Sequence, residues 1–369
     1  MAETATTSPA APEAAIRIRS LYKIFGADDR RLVKEVKAGM TKAELMEKHA
    51  HVLGLRDISI DMPKGGIQVV MGLSGSGKST LIRHINRLIE PTAGEVLIGG
   101  EDVLAMSAKR LQDFRRHKIS MVFQRFALLP HKSVFDNVTY GLAIQGAPGE
   151  KQRAAAARWI ARVGLSGYEN RYPSALSGGM QQRVGLARAL ATDADILLMD
   201  EAFSALDPLI RSDMQSVLLD LQEELQKTIV FITHDLDEAL RIGDRIAILR
   251  DGEIVQQGTG EEIVLHPADD YIASFVREVN RGRVIEVQTI MEPAPPGGFP
   301  PEGPAIERGT IIEDAARTMT ETGAMSAHVV NGSTAPIGRV TLRGIMGAMV
   351  NPTERGVKAA DKTASITTS

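Results

Sequence analysis

Apolar and polar side chains alternate with a period of two over residues 15–26 (AIRIRSLYKIFG), which predicts a strand buried on one face. A polar stretch at 28–50 (DDRRLVKEVKAGMTKAELMEKHA) reads as a solvated surface helix, and strand-like alternation returns at 55–62 (LRDISIDM). Residues 79–88 (STLIRHINRL) predict a helix, and 118–124 (KISMVFQ) a strand. From 125 to 190 the strand period disappears. That stretch carries helical runs such as 148–165 (PGEKQRAAAARWIARVGL), with Pro148 suited to a helix start and the sole tryptophan, Trp159, expected in helical core. Two apolar runs, 196–199 (ILLM) and 228–233 (TIVFIT), predict strands buried on both faces. Short helices follow at 261–267 and 269–279. Residues 291–304 (MEPAPPGGFPPEGP) must be loop. Beyond them the order is helix (310–323), strand (327–331), turn, strand (336–341), helix (342–350), and then a polar tail expected to be disordered.

Residues 72–80 read GLSGSGKST, a complete phosphate-binding loop running into the helix at 79–88. Gly72, Ser74, Gly75 and Gly77 let backbone N–H groups wrap nucleotide phosphates. Lys78 offers a point charge to the β- and γ-phosphates, Ser79 a hydroxyl to Mg²⁺, and Thr80 continues the helix start. Residues 176–183 read LSGGMQQR, and Ser177, Gly178 and Gly179 open an amphipathic helix, a second anion-grasping terminus. The apolar run at 196–199 ends in Asp200 and Glu201, a carboxylate pair suited to holding a cation and activating a water.

These motifs, in this order, resemble the ATP-binding cassette (ABC) family, whose signature is LSGGQ; Met180 stands here in the Gln position. The resemblance implies an α/β fold: a P-loop NTPase cassette with a RecA-like core and a helical subdomain at about 125–190. It implies ATP and Mg²⁺ as cofactors. Asp200, Ser79 and Gln124 would hold the metal, Glu201 would be the general base or water-positioning group, His234 would contact the γ-phosphate, and Asp207 would lie in the loop after the carboxylates (SALD). Phe25 would lie against adenine. The family pairs two copies head to tail, with ATP between the phosphate loop of one and Ser177-Gly178-Gly179 of the other, and FALLPHKSVFDNV (126–138) would receive a membrane permease subunit.

Within the family, the insertion at about 27–52 and the runs MGLSGSGKSTLIRHINRLIEPTAGEV, DEAFSALDPLIR and HDLDEALRIGDRIAIL resemble bacterial importers of glycine betaine, proline betaine or choline, which are served by an external substrate-binding protein. Residues 282–350 resemble a single cystathionine-β-synthase-type (CBS) module, a small α+β unit. Its ribose-binding pattern Gly-x-x-Thr-x-x-Asp keeps Gly338 and Thr341 but has Gly344 in the last place, so nucleotide binding there is not expected. The expected organisation is a leader at 1–14, a cassette at 15–281, the CBS-like module at 282–350 and a disordered tail at 351–369.

Composition narrows the alternatives. The 369 residues carry a net charge of −3 with no concentrated basic tract, so no nucleic-acid footprint is expected. Cysteine is absent, which fits a reducing compartment. The start lacks a basic and an apolar region of the signal-peptide kind, and no apolar run reaches bilayer length, so peripheral attachment at the cytoplasmic face of the inner membrane is the expected location. Other readings are a non-transport ABC ATPase in DNA repair or translation, an importer ATPase for another solute such as an amino acid, or an adenosine-sensing regulator. The first would carry a long coiled coil or two cassettes, and the last is disfavoured by the intact Asp200-Glu201 pair.

Overall fold

The structure, a computed structural model, describes residues 13–124, 127–295, 302–332 and 335–350. The expected leader lies almost wholly outside them, the expected tail entirely so, as do the middle of the Pro/Gly-rich loop and the first residue of FALLPHKSVFDNV. The chain divides into two compact units, one ending at Thr259 and one beginning at Gly260.

Two sheets build the first unit. The alternating residues at its start form the strand Ala14–Phe25, whose inward side chains Ile16, Ile18, Leu21 and Ile24 are fully buried. It pairs antiparallel with Val52–Pro63 on one side and Ala93–Ile98 on the other, within a four-stranded sheet. The second sheet is six-stranded, in the order Glu253–Gly258, Arg245–Arg250, Ile67–Met71, Thr228–Thr233, Ile196–Asp200, Ile119–Val122. Its pairings are parallel except for the antiparallel pair at the Glu253–Gly258 edge. Ile67–Met71, Ile196–Asp200 and Thr228–Thr233 are buried at every position, which explains their unbroken apolar character. Apolar residues of both sheets meet around the helix Lys78–Ile85 in one core, with Ile18, Leu55, Val70, Leu81, Ile85, Leu198 and Val230 among its members.

The helical region is as expected: Val134–Ile144, Gly149–Arg162 and Gly178–Ala191 are helices, with no strand among the described residues from 127 to 191. Pro148 stands immediately before the second of them, and Trp159 is buried on it.

The insertion differs from the expected solvated helix. It forms two helices, Asp29–Lys37 and Lys42–His49, and Leu32, Val33, Val36 and Leu45 pack with Tyr22, Ile24 and Leu53 in a small core of their own. The apolar residues at 32, 33, 36 and 45 fall on the inner faces of two short helices broken at Gly39, a pattern that a single polar run conceals.

The second unit differs in its boundary. The short helices Gly260–Leu265 and Asp270–Val276, expected as an extension of the cassette, fall in it. Glu261 Oε1 accepts from the Glu286 amide at 3.1 Å, and Leu265 packs against the module's core of Ile285, Ile312, Met319, Val329 and Ile345. Its sheet runs Glu292–Pro293, Gly338–Thr341, Ser326–Val330, Ala305–Glu307. Thr341 Oγ1 accepts from the Gly344 amide at 3.1 Å and caps the helix Leu342–Met349, a structural use for that threonine. Among the described residues no helix is long and apolar enough to cross a membrane.

His84, on the helix Lys78–Ile85, is wholly buried; its Nδ1 meets Ile89 O at 2.7 Å and its Nε2 has no partner. Burial, opposed by the Ile89 contact, pushes its pKa down to about 4. The unfolded chain therefore takes up a proton near pH 6.5 that the native state refuses until about pH 4. Stability should be full at pH 7 and fall by about 3 kcal/mol across that window. Chemical denaturation of wild type and His84→Gln at pH 7 and pH 4.5 checks this: the pH-dependent loss should shrink in the variant, and an equal loss in both would contradict it.

Candidate active site

The strand Ile67–Met71 delivers the chain into the loop 72–77, and the loop delivers it into the helix Lys78–Ile85. Two glycines are sterically required. Gly72 has φ 153°, and a Cβ there would meet Leu249 O and would lie 2.7 Å from Ser76 Oγ. Gly77 has φ 105°, and a Cβ there would lie 2.8 Å from both Gly54 O and Leu55 Cδ2. The loop thus folds tightly against both sheets while its outer side faces a cleft of about 360 Å³.

That cleft is lined by Phe25, Ser74, Gly75, Gly77, Lys78, Ser79, Thr80, Gln124 and Glu201, residues singled out from sequence, and by Lys42, Val52, Leu53 and Gly54, which were not. Phe25 ends its strand about two-fifths exposed, and a Cβ on Gly54 would lie 2.6 Å from its ring, so the ring lies flush against the neighbouring backbone. Lys23 Nζ sits 5.1 Å from the ring centroid.

At the other end the charged groups converge. Lys78 is buried; its Nζ donates to Gly72 O at 2.7 Å and Leu73 O at 3.1 Å, and stands 3.6 Å from Glu201 Oε1. Burial pulls the Lys78 pKa below the ordinary lysine range, and the nearby Glu201 charge opposes that shift. Asp200, at the end of its fully buried strand, accepts from Ser79 Oγ at 2.8 Å and pairs with Arg83 Nη2 at 3.3 Å. Arg83 was not anticipated, although its i,i+4 relation to Ser79 puts both on one helix face.

Glu201 turns away from the strand in a left-handed conformation, φ 46°, which a side chain seldom adopts without a reason. Its amide donates to Ile232 O at 3.1 Å, and its carbonyl accepts from Ser204 Oγ at 2.9 Å. So held, its carboxylate receives Gln124 Nε2 at 3.0 Å and lies 3.6 Å from His234 Nδ1. Gln124 and His234, each just past the end of a strand, and Lys78, at the start of the helix Lys78–Ile85, thus meet on one carboxylate.

Ser177, Gly178, Gly179 and Asp207 do not line this cleft. Ser177 caps the helix Gly178–Ala191, accepting from the Met180 amide at 3.3 Å. Asp207 caps the helix Pro208–Leu225, accepting from the Ile210 amide at 3.1 Å. The two caps are neighbours, for a Cβ on Gly179 would lie 2.7 Å from Ile210 Cγ2.

A hydroxyl and a carboxylate in contact beside a phosphate loop are hard oxygen donors. They fit Mg²⁺, which favours one or two protein oxygens together with substrate phosphates over a closed protein cage.

A mostly parallel sheet, a phosphate loop at the end of an inner strand and a paired Asp-Glu beside it define a P-loop ATPase built as an ATP-binding cassette. Comparison with known proteins takes this further. The family model described as ABC transporter matches residues 55–204. The glycine betaine/carnitine transport ATP-binding protein GbuA of Listeria monocytogenes is 48% identical over 325 residues, covering 88% of this chain and 80% of that protein. The glycine betaine/proline betaine transport system ATP-binding protein ProV of Escherichia coli is 53% identical over 282 residues, 76% of this chain and 70% of that protein. A solved dimeric ATP-binding cassette in a post-hydrolysis state bound to ADP and Pi superposes with a TM-score of 0.57 at 31% identity, over 66% of this chain and 98% of that one. The chain belongs to the ABC transporter family, among its ATP-binding subunits.

Proposed function

We propose that this chain is the ATP-hydrolysing subunit that powers import of a quaternary ammonium compound, namely glycine betaine, proline betaine or choline. The observation that carries the hydrolytic part is the convergence of Lys78, Gln124 and His234 on Glu201, one residue from an Asp200 held by Ser79. The cargo rests on the likeness to the betaine transport proteins, since no residue of an ATP-binding subunit need touch it.

Phe25 stacks on adenine, and the amides of the loop and the charge of Lys78 draw the phosphates to the helix start. Ser79 and Asp200, joined by Gln124, hold Mg²⁺, which when bound neutralises charge on the phosphates. Glu201 Oε2 accepts the proton of the attacking water, and Gln124 and His234 fix the orientation of that carboxylate. Because Ser177, Gly178 and Gly179 stand apart from the cleft, they serve a second copy: each nucleotide lies between the phosphate loop of one protomer and the signature of its partner, with Asp207 beside it. Two solved cassettes, 31% and 32% identical and described as dimeric, support pairing of two copies. The dimer drives a membrane permease from the cytoplasmic face of the inner membrane, with cargo handed over by a substrate-binding protein.

The test is ATPase stimulation in a reconstituted complex of this chain, its permease and its binding protein. Choline or a betaine should stimulate turnover. Stimulation by histidine or maltose with no response to choline or betaines would overturn the assignment.

A further inference from the structure

The insertion at 27–52 leaves the sheet after Phe25 and rejoins it at Val52, and these two residues are register partners. The insertion therefore starts and ends beside Phe25, which lines the cleft together with Lys78 and Glu201. The insertion is firmly seated. His51 is buried, and its ring nitrogens contact Ala27 O and His49 O, each at 2.6 Å, so one side chain ties the entry of the insertion to its exit. Its helices share a core with Tyr22 and Ile24 of the same strand. Thr41 caps the start of the second helix with a capping box to Glu44. The next residue, Lys42, is exposed and lines the cleft, and no described residue pairs with it. An ammonium group has three donors and no acceptor capacity, so a partner must supply lone pairs or negative charge.

We infer that Lys42 is a nucleotide-contacting residue supplied by the insertion, donating to acceptor atoms of the base and ribose and raising nucleotide affinity. This rests on the reading of the cleft as an ATP site. Two consequences separate Lys42 from Lys78. Its contact lies ahead of the terminal phosphates, so ATP and ADP gain equally. It touches nothing that changes during hydrolysis, so its effect belongs to KM and not to kcat.

Calorimetric titration of the purified full-length chain with ATP and with ADP, at low and high salt, tests this together with steady-state ATPase kinetics. Lys42→Ala should weaken both nucleotides by the same factor, about two- to fivefold, as expected for one exposed hydrogen bond, and raise KM correspondingly. The factor should change little with salt, because the acceptors on base and ribose are uncharged, and Lys42→Arg should restore most of the affinity. Unchanged affinities in Lys42→Ala beside a wild type that binds ATP would overturn the inference and leave the ATP site standing. A fall in kcat, or a lowered melting temperature, would also overturn it by showing a structural role. A wild type that binds no ATP would instead sink the functional reading itself.

Discussion

Replacing Glu201 by Gln is expected to lower ATP turnover by about 10²–10⁴-fold, the range for loss of a positioned general base, while ATP binding persists. The site explains why the two should separate. The amide keeps the size of the carboxylate, so the turn at φ 46° and its bonds to Ile232 O and from Ser204 survive, because they involve only the Glu201 backbone. Gln124 Nε2 can still donate to the retained side-chain oxygen. What disappears is the negative charge and the proton acceptor. The charge also lies 3.6 Å from Lys78, where its loss leaves the lysine more available to phosphate. The variant should therefore accumulate as an ATP-bound dimer. Single-turnover kinetics and size-exclusion chromatography with ATP check both halves; turnover near the wild-type rate would remove Glu201 from its assigned role.

How much of this was legible in the sequence depends on the distance over which each feature is encoded. The phosphate loop is local: its glycines, Lys78 and Ser79 are adjacent in the chain, and the φ values at Gly72 and Gly77 follow from positions only glycine fits. The strands at 196–200 and 228–233 were legible because burial on both faces leaves no polar alternation to misread. The meeting of Gln124, Glu201 and His234 was readable only through the resemblance to a known family, since nothing in the spacing of three strand ends states that they are neighbours. The insertion was misread because its apolar residues are few and divided between two short helices, and their burial depends on Tyr22, Ile24 and Leu53 from flanking strands. Lys42 escaped notice for the same reason: its place on the cleft follows from the Phe25–Val52 pairing, a tertiary fact. The helices at 260–276 gave no sign of which unit they join, because an amphipathic turn or two packs equally well against either.

Lys78→Ala should act differently, through binding. Charge-assisted hydrogen bonds are worth about 1.5–3 kcal/mol each, so losing the contact to the phosphates should weaken ATP by about 10- to 150-fold. ADP, with one phosphate fewer in reach, should lose less. The structure adds a second cost. Lys78 Nζ donates to the carbonyls of Gly72 and Leu73 and stands beside Glu201, so truncation removes a tether inside the loop and the cation nearest that carboxylate. A loop held only by Gly72 and Gly77 would present its amides less well, which adds to the loss for every nucleotide. Lys78→Arg should recover little. The lysine is only 4% exposed, and the larger planar guanidinium has no room to reach both carbonyls and phosphate from that position. Equilibrium titration with ATP and ADP decides the matter: a large loss for ATP with a smaller one for ADP is expected, and unchanged ATP affinity would contradict the placement of the phosphates at this loop.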